Sequence, residues 1–440
     1  MFRIRTIFMR NRPAPEEMTV DPTVNLPIPV HFRCPISLDL MKDPVTISTG
    51  ITYDRQSIET WLDAGNRTCP VTKQELKSLE QIPNHTILRM IQNWCVANHS
   101  LGVERIPTPR IPATQAEVSK ILMEIGKASR EGDLIRCGKL VKKMNVLGRE
   151  SDRNRRCIVA IGTASGVLSA AFESFAAASE DNYVEGMEEI LSMLAWMFPL
   201  DEEARSHLLS HASLHWMVWL LNCGNLAGRR NAALVVKDLA SSSEQRVLDS
   251  LTEIEGLIEA LFKVLKEPIC PVTTKASLMA VFYFVSSPSS SSKTASRFIE
   301  IGLVPLLLEM LVGSDKSVCE KALGVLDGIF GWEEGREKAY NHALTVPVLV
   351  KKILRVSDLA TEFTISALWK LCGNYRGEDG GILVESLQVG AFQKVLVVLQ
   401  VGCSEKTKEK ATGLLKLLNA NKMRGECIDS MDFKQLKRPF

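Results

Sequence analysis

Two patterns of hydrophobic and polar positions divide the chain. From Thr114 onward, apolar residues recur at i, i+3, i+4 and i+7 between short Gly, Ser or Pro breaks, which is the spacing of one apolar face on an α-helix. Between about residues 29 and 103 the pattern is mixed, with tight-turn signals, a β-prone run at residues 45–47 and a helical stretch at residues 54–64. The chain is therefore predicted to be mostly α, with a small α+β domain followed by a long helical region.

Prolines mark the predicted domain boundaries. Five of them lie between residues 13 and 29, and three more fall within residues 107–112, where they cannot continue a helix. The predicted organisation is a basic, Pro-rich extension over residues 1–28, a compact domain over 29–103, a Pro-rich linker over 104–113, a helical repeat domain over 114–425 and a tail over 426–440. A serine-rich stretch at residues 286–292 is predicted to be an inserted loop.

The helical region contains an internal repeat. Five apolar helices align on their first small residue, with steps of 44, 46, 45 and 44 residues between copies. The aligned residues are Ala232, Ala276, Ala322, Ala367 and Ala411. Upstream of three of these, a glycine opens another apolar helix, whereas Leu344 takes that place in the fourth copy. The glycines are Gly256, Gly302 and Gly390.

A period of 44 to 46 residues with two long apolar helices per unit is typical of the armadillo and HEAT classes. Such helices are too apolar to stand alone, so neighbouring units must stack to cover them. The alanines would let helix backbones approach closely at the seam between units, and the glycines would permit a sharp turn. An irregular helical domain is the alternative, which the four near-equal steps disfavour. Residues 115–225 are predicted to hold two or three degenerate repeats.

Composition narrows the choice of function. The formal net charge is +2, from 53 basic and 51 acidic residues, and this balance disfavours nucleic acid as the main partner. No apolar run approaches the ~18 residues that suggest a membrane span. Eleven cysteines are scattered without a C-x-x-C pair, which is typical of reduced intracellular thiols. The first twelve residues hold four arginines and no acid, so we expect a solvated basic tail with weak contact to membranes or acidic partners.

A zinc-bound RING-type fold is disfavoured in the compact domain. Such a fold needs eight Cys or His ligands in paired clusters, but residues 29–103 offer six, and only His31 and Cys34 have a pair-like spacing. No metal is predicted, and the small fold must be held by its core and by side-chain hydrogen bonds. The polar residues suited to such a network are Ser37, Asp39, Asp43, Thr52, Tyr53, Asp54, Arg55, Thr68 and Thr72.

A group of histidines lies in the helical region. His207, His211 and His215 fall at i, i+4 and i+8 on one predicted helix. Eight residues of helix span ~12 Å, so the three side chains could not share a metal ion. A plain helix face is therefore predicted.

Residues 29–95 carry a dense set of motifs: CPIS, MKDPV, GITYDR, TCPVT, PNHTILR and a closing Trp94. These motifs closely resemble the plant U-box family over about 70 residues. The VERIPTPR tract that follows resembles the plant subgroup in which a U-box precedes armadillo repeats. Asp39 departs from the pattern mildly, because many relatives carry Glu there.

The resemblance implies a cross-brace fold like that of a RING domain, without metal or other cofactor. Such a domain binds a ubiquitin-conjugating enzyme charged with ubiquitin and speeds transfer of the ubiquitin to a substrate lysine, with no covalent ligase intermediate. Carried over by motif, the apolar contacts to the conjugating enzyme are Ile36 in the first loop, Trp61 at the helix end and Pro70 in the second loop. Ile36 and Trp61 could also be core residues. Lys73 stands where many such ligases carry a cation that holds the conjugate in its reactive pose. The alternative is that Lys73 is a solvated surface lysine with no such role.

The resemblance also implies that the repeats hold a protein substrate. It further suggests a role in plant stress or immune signalling, in the cytoplasm with a nuclear or membrane-associated fraction, and it leaves a U-box dimer open. One rival hypothesis is a non-catalytic adaptor that uses the U-box only for docking. Another, a membrane-associated scaffold, rests on the basic N-terminus alone. The intact CPIS and TCPVT motifs together with Trp61 favour the ligase.

Overall fold

The computed structural model describes residues 28–101, 103–104, 106, 113–178, 184–242, 244–286, 292–377 and 381–421. The chain divides into two compact units, Met1–Ile111 and Pro112–Phe440, which we call the N-terminal unit and the repeat unit. The predicted basic extension up to residue 27, residues 107–112 of the predicted linker, residues 287–291 of the serine loop and the predicted tail at 426–440 lie outside the described residues.

The N-terminal unit is a small sheet with two helices. The sheet has the order β2-β1-β3, and the central strand pairs antiparallel with both neighbours. The elements are β1 (Pro44–Thr46), β2 (Thr52–Asp54), α1 (Arg55–Asp63), β3 (Ile82–Pro83) and α2 (His85–Ala97). The predicted β-prone run and helical stretch thus fall on β1 and α1, within a residue at each end.

One apolar core holds this unit together. Tyr53 from β2, Ile58 from α1 and Ile91 from α2 are all fully buried in it. Ile106, which the sequence pattern assigns to the linker, is buried in the same core. Each helix buries one face against the sheet, which leaves the loops on either side of α1 to be held by hydrogen bonds.

The repeat unit is a stack of helices. The described helices are α3 (Gln115–Arg130), α4 (Leu134–Glu150), α5 (Asp152–Val159), α6 (Ala164–Ala178), α7 (Val184–Leu194), α8 (Glu202–Leu208), α9 (His211–Cys223), α10 (Leu226–Ala240), α11 (Gln245–Glu253), α12 (Leu257–Lys266), α13 (Pro271–Ser286), α14 (Ser292–Glu300), α15 (Leu303–Gly313), α16 (Lys316–Ile329), α17 (Glu333–Tyr340), α18 (Thr345–Lys352), α19 (Asp358–Asn374), α20 (Gly381–Gln388), α21 (Ala391–Val401) and α22 (Glu405–Ala420).

Each repeat has three helices, where the hydrophobic pattern predicts two. The third helix is the short one that opens each repeat, such as α11 or α17, and it has only seven to nine residues. Within the described chain, the pair α3 and α4 is followed by six such triplets. The last helix of each layer packs on the last helix of the next, from α4 through α7, α10, α13, α16 and α19 to α22. The region before residue 225 therefore holds one pair, one triplet and the first two helices of the next triplet, whose third helix, α10, begins at Leu226.

The aligned small residues lie on this continuous row of last helices. Ala232, Ala276, Ala322, Ala367 and Ala411 are each buried, with at most 3% of the residue exposed. The upstream glycines also have a common geometry: Gly256, Gly302 and Gly390 precede their helices with φ of 82°, 95° and 82°. Leu344 instead adopts a right-handed conformation with φ of −85°, so the fourth copy enters its helix by a different turn.

The predicted histidine helix is wrong in one respect, because the helix is broken. His207 lies on α8, and the next helix, α9, begins at His211. The first helix ends at Leu208, with Leu209 as its C-cap. Ser210 caps the second helix by accepting a hydrogen bond from the N–H of Ser213. The Nδ1 atom of His207 lies 2.7 Å from a carboxylate oxygen of Glu173 on α6, so this side chain joins two layers of the stack.

No single described helix has both the length and the apolar character to cross a membrane. Two bent pairs reach that length and composition only when both members are counted together: α5 with α6, bent by 84°, and α20 with α21, bent by 68°.

The row of last helices makes a testable prediction. Ala232 is fully buried on α10, so Ala232→Leu adds three carbons where neighbouring layers meet. We expect the free energy of unfolding to fall by about 1–3 kcal/mol, because an added side chain forces its neighbours out of their packing. Urea unfolding of the full chain measures the change.

The matched control is Ala227→Leu on the same helix, where Ala227 is exposed. That variant should unfold within about 0.5 kcal/mol of the wild-type chain, as surface substitutions usually do. Equal effects of the two substitutions would contradict close packing at Ala232.

Candidate functional site

Two loops of the N-terminal unit have the same construction. In loop 1, residues 34–39, the N–H of Cys34 donates to the carbonyl of Asp39 at 2.8 Å, and the N–H of Leu38 donates back to the carbonyl of Cys34 at 2.8 Å. Leu38 has a φ of 64°, which is uncommon for a bulky side chain. The Oγ of Ser37 accepts from the N–H of Asp39 at 3.4 Å. All three of these hydrogen bonds therefore join residues within the loop itself.

Loop 2, residues 69–74, repeats each of these contacts 35 positions later. The N–H of Cys69 donates to the carbonyl of Gln74 at 2.8 Å, and the N–H of Lys73 donates to the carbonyl of Cys69 at 2.9 Å. Lys73 has a φ of 60°, and the Oγ1 of Thr72 accepts from the N–H of Gln74 at 3.4 Å. The sequence motifs CPIS and CPVT therefore code for one loop shape that is used twice.

The sulfur of Cys69 holds loop 2 against the sheet. It accepts from the hydroxyl of Tyr53 at 3.1 Å, the hydroxyl of Thr49 at 3.4 Å and the N–H of Thr72 at 3.4 Å. Burial opposes ionisation of this thiol, but the donors from Thr49, Thr72 and Tyr53 outweigh it and lower the pKa of Cys69 to about 6. Burial, helped by the neighbouring Cys69, raises the pKa of Tyr53. Tyr53 therefore stays a donor to the sulfur.

Cys34 plays the matching part for loop 1. Its sulfur is fully buried and accepts from the N–H of Asp54 at 3.3 Å. Burial again opposes ionisation, while N–H groups of Ser37, Asp54 and Ile36 lower the pKa of the Cys34 thiol. Sulfur atoms thus take the inward N–H groups of both loops.

Carboxylates tie the segment between loop 1 and β1 to the start of helix α1. The Oδ1 of Asp54 accepts from the N–H groups of Lys42 and Asp43, at 2.7 and 3.0 Å. The Nε of Arg55, the first residue of α1, donates to the Oδ2 of Asp43 at 2.6 Å, and Arg55 also reaches Gln81 at 3.4 Å. The arginine side chain is 13% exposed and the aspartate side chain 30%, so solvent screens this ion pair only in part.

Asn84 is a network residue that the sequence pattern does not single out. Its Nδ2 donates to the hydroxyls of Thr46 and Thr52, each at 3.2 Å, and those two hydroxyls lie 2.9 Å apart. Its Oδ1 also caps α2 by accepting from the N–H of Ile87 at 3.0 Å. The sequence signal for the capping role of Asn84 is its position between Pro83 and a helical run. An Asn directly before a helix is a typical N-cap.

The predicted network residues are placed as follows. Asp43, Tyr53, Asp54, Arg55, Ser37 and Thr72 all form side-chain hydrogen bonds. Asp39 differs, because its carboxylate is exposed and forms no hydrogen bond with the described residues. Asp39 acts through its backbone instead: its N–H and its carbonyl both close loop 1.

Three of the four predicted contact residues lie together. The Nε1 of Trp61 donates to the carbonyl of Thr68 at 2.8 Å, which fixes the half-buried indole between α1 and loop 2. The ammonium of Lys73 lies 5.7 Å from the centre of the Trp61 ring, within the range of a cation–π contact. Pro70 is half-buried in the same loop. The C-terminal end of α1 and loop 2 therefore form one apolar surface, and the ammonium of Lys73 lies beside it.

Ile36 occupies the matching place in loop 1. It is 36% exposed, and it lies on the other loop from Pro70 and Lys73. Its counterpart in loop 2, Val71, is 52% exposed. Both loops therefore carry a branched apolar side chain at their tips, directly after the Cys-Pro pair.

The described residues contain no cluster of three or more His, Cys, Asp or Glu side chains that could hold a metal ion. The sulfurs of the two loops are instead bonded to hydroxyl and N–H donors.

Comparison with known proteins gives two family matches. The family described as “U-box domain” matches residues 28–100, and the family described as “Plant U-box protein ARM repeat region” matches residues 117–438. U-box domain-containing protein 21 of Arabidopsis thaliana is 45% identical over 425 residues, covering 96% of this chain and 95% of that protein. E3 ubiquitin-protein ligase PUB23, from the same plant, is 33% identical over 399 residues, covering 89% of this chain and 92% of its own.

Solved structures add a likeness of fold. A crystal structure of an engineered protein has a TM-score of 0.54 with this chain at 16% identity, covering 70% of this chain and 72% of its own.

The sulfur contacts of loop 2 make a testable prediction. Tyr53→Phe removes the hydroxyl that lies against Cys69 and that also accepts from the N–H of Val71 at 3.4 Å. We expect the N-terminal unit to lose about 1–3 kcal/mol of unfolding free energy, because two partners lose a hydrogen bond near the core. Hydrogen exchange of peptides covering residues 45–76, followed in the full chain, measures the loss.

Tyr283→Phe serves as the control, since the Tyr283 side chain is half-buried and its hydroxyl forms no hydrogen bond with the described residues. Exchange in residues 45–76 should stay unchanged in that variant. Unchanged protection in Tyr53→Phe would mean that the hydroxyl does not stabilise the loop.

Proposed function

The chain belongs to the plant U-box proteins that carry armadillo repeats, and we propose that its two units divide one reaction between them. It is a ubiquitin-protein ligase of the U-box type, which promotes ubiquitin transfer without a covalent ligase intermediate. The N-terminal unit is the U-box, and it recruits a conjugating enzyme charged with ubiquitin. The armadillo repeats hold the protein that receives the ubiquitin.

The observation that carries the assignment of the contact surface is the joining of Trp61 to loop 2. The 2.8 Å bond from its indole N–H to Thr68 holds the ring in place, so little side-chain freedom would be lost on binding. Ile36 and Pro70 lie on the two loops beside the helix, each at least partly exposed. An aromatic side chain flanked by small apolar groups is a typical hot spot of an interface. We therefore place the conjugating enzyme on Ile36, Trp61 and Pro70.

Lys73 is proposed to act on the conjugate rather than on the enzyme alone. Its backbone has a φ of 60°, and its ammonium lies over the Trp61 ring, so a cation is held at the edge of the proposed contact surface. Three N–H donors on that ammonium can bond carbonyl oxygens of ubiquitin and of the conjugating enzyme together. Such a bridge would hold the flexible thioester conjugate in a reactive pose, which is a proximity effect.

The wider biological role is proposed from the family. From membership of this plant family alone, we propose a role in stress or immune signalling, in the cytoplasm. The four arginines in the first twelve residues support a weak, salt-dependent contact with anionic membranes, in addition to nuclear entry of a fraction of the protein. A second copy of the chain is proposed to pair through its U-box, as a dimer.

Truncation of the two key side chains tests the ligase surface. Ile36→Ala should weaken binding of the conjugating enzyme and reduce autoubiquitination about tenfold or more, since an interface hot spot is worth ~2 kcal/mol. Lys73→Ala should slow discharge of the ubiquitin thioester onto free lysine while leaving affinity for the uncharged conjugating enzyme nearly unchanged. Lys73→Arg should retain the discharge rate, because guanidinium is a stronger bidentate donor.

Val30→Ala is the matched control for Ile36, because Val30 is 85% exposed in the same unit and lies outside both loops. It should behave as the wild-type chain does. If the wild-type chain and Ile36→Ala were equally inactive with a panel of active conjugating enzymes, the adaptor hypothesis would replace the ligase.

The membrane contact has its own test. A chain lacking residues 1–12 loses four positive charges and no negative one, so its recovery with vesicles that contain phosphatidylserine should fall. For the full chain, raising the salt from low to physiological concentration should have the same effect, because exposed charges are screened beyond ~8 Å. Equal recovery of the two chains would remove the N-terminus as a membrane contact.

A further inference from the structure

A cationic pocket opens between two layers of the repeat unit. Its volume is about 210 Å³, well above the ~10–15 Å³ that a single water molecule needs. The lining residues are Ser314, Lys316, Cys319, Lys351, Lys352, Arg355 and Val356. Four of the seven carry a positive charge and none carries a negative one. The pocket is therefore a small concave site with a positive electrostatic potential that comes from four cations.

Two layers supply these cations. Lys316 is the first residue of α16, while Lys351 and Lys352 are the last two of α18 and Arg355 follows in the next turn. Lysines at a helix C-terminus complement the helix dipole, which is an ordinary reason for Lys351 and Lys352. Lys316 has no such reason, because a cation at a helix N-terminus is unfavourable. An anion bound among the four would relieve that repulsion.

Several cations elsewhere in the same stack form ion pairs. Lys370 on α19 lies 2.7 Å from a carboxylate oxygen of Asp327 on α16, and Lys275 lies 3.7 Å from Asp315. Within the described chain, none of the four pocket cations lies within 4.0 Å of a carboxylate oxygen. The Nζ of Lys352 donates to the sulfur of Cys319 at 3.2 Å, which leaves its charge uncompensated.

Two acids that are adjacent in sequence to lining residues, Asp315 and Glu320, are engaged elsewhere. Asp315 caps α16 by accepting from the N–H of Val318 at 2.9 Å and also faces Lys275. Glu320 accepts from the hydroxyl of Ser357 at 2.6 Å and lies 3.8 Å from Lys321. Neither acid lines the pocket, so neither neutralises it.

The backbone that carries Arg355 is strained. Leu354, between Lys352 and Arg355, has a φ of 58°, although left-handed geometry is unfavourable for a bulky residue. Its N–H donates to the hydroxyl of Thr361 at 3.1 Å, and this bond helps to hold the turn. Strain of this kind is found most often where a side chain is positioned for binding.

A fifth cation, Lys394, feels the same field. Its Nζ donates to the carbonyl of Val350 at 2.7 Å. Burial lowers the pKa of Lys394, and the charge of Arg355 lowers it further. Positive charge therefore accumulates on this side of the stack.

We propose that the pocket binds a phosphorylated serine or threonine of a protein bound to the repeats. A phosphoryl group carries a charge of about −1.5 to −2 and three acceptor oxygens, which match several cations at once, whereas one carboxylate would leave most of them unpaired. The pocket lies on the repeat stack, so its occupant is a side chain of a bound polypeptide. This inference rests on the proposed role of the repeats in holding the substrate, and it makes phosphorylation a condition for substrate choice.

The test uses the full chain and a labelled peptide library with one fixed phosphoserine or phosphothreonine and degenerate flanks. Fluorescence anisotropy should show binding about tenfold or more tighter than for the unphosphorylated library, since the phosphoryl oxygens form charge-assisted hydrogen bonds, which are stronger than neutral ones. Inorganic phosphate should compete, and higher salt should weaken binding. Lys351→Glu/Arg355→Glu should abolish the preference for phosphate, and Lys351→Ala/Arg355→Ala should reduce it.

Lys263→Glu/Lys266→Glu is the matched control. Lys263 and Lys266 are exposed near the end of α12, the helix that corresponds to α18 in another repeat, and the change in net charge is identical. That variant should bind the phosphorylated library as the wild-type chain does. An equal loss in both variants would indicate non-specific attraction and overturn the proposal.

Three further outcomes would also overturn it. One is equal affinity of the wild-type chain for phosphorylated and unphosphorylated libraries. Another is unchanged binding by the Lys351→Glu/Arg355→Glu variant. The third is binding only to vesicles of phosphatidylcholine and phosphatidylserine, which would make the site a lipid contact. Autoubiquitination by the wild-type chain is measured separately: its absence would refute the ligase while phosphopeptide binding stood, so the two failures are distinguishable.

Discussion

The U-box of this protein depends on hydrogen bonds that close two six-residue loops from inside. Each loop turns N–H groups toward the core, where an unpaired donor costs about 1–3 kcal/mol. The sulfurs of Cys34 and Cys69 accept these donors, and the carboxylate of Asp54 in β2 accepts those of Lys42 and Asp43 just beyond loop 1. Because the acceptors belong to the sheet and to the loops themselves, the loops keep one shape. The side chains proposed to meet the conjugating enzyme, Ile36 and Pro70, depend on that shape for their position.

The repeats meet a different constraint, which is the covering of apolar faces. A single layer cannot bury its own last helix, so each lies against the next, and small residues permit the approach. Gly328 on α16 shows how close it is: an added Cβ would lie 2.7 Å from a methyl carbon of Val285 on α13. The stack is therefore continuous from α4 to α22 over the described residues, and it offers an extended surface for a substrate.

Charge is nearly balanced over the chain but not within the stack. The net charge of +2 hides a local excess, since many described lysines and arginines of the repeats have carboxylate partners and those of the cationic pocket do not. In the U-box, Arg55 and Asp43 form an ion pair of this kind. Charges that are paired hold structure together, while unpaired ones in a cavity remain available to a ligand. The distinction separates the structural cations of this protein from those proposed to recognise a phosphoryl group.

The sequence by itself determined the order of the parts and the chemistry of each. The CPIS and TCPVT motifs identified the loops through their resemblance to the U-box family, and the backbone bonds that close each loop span only four or five residues. The 44–46 residue steps identified the repeats, because stacking imposes one period on every layer. Only the tertiary structure decided the partners. The hydrogen bond between Tyr53 and Cys69 and the bonds of Asn84 to Thr46 and Thr52 join segments that are far apart in the sequence. The backbone role of Asp39 depends on the folded shape of loop 1. The third helix of each repeat is too short to show a hydrophobic period. The cationic pocket is the clearest case, since Lys316 and Arg355 lie 39 residues apart in the sequence and only the stacking of two layers brings them to one cavity.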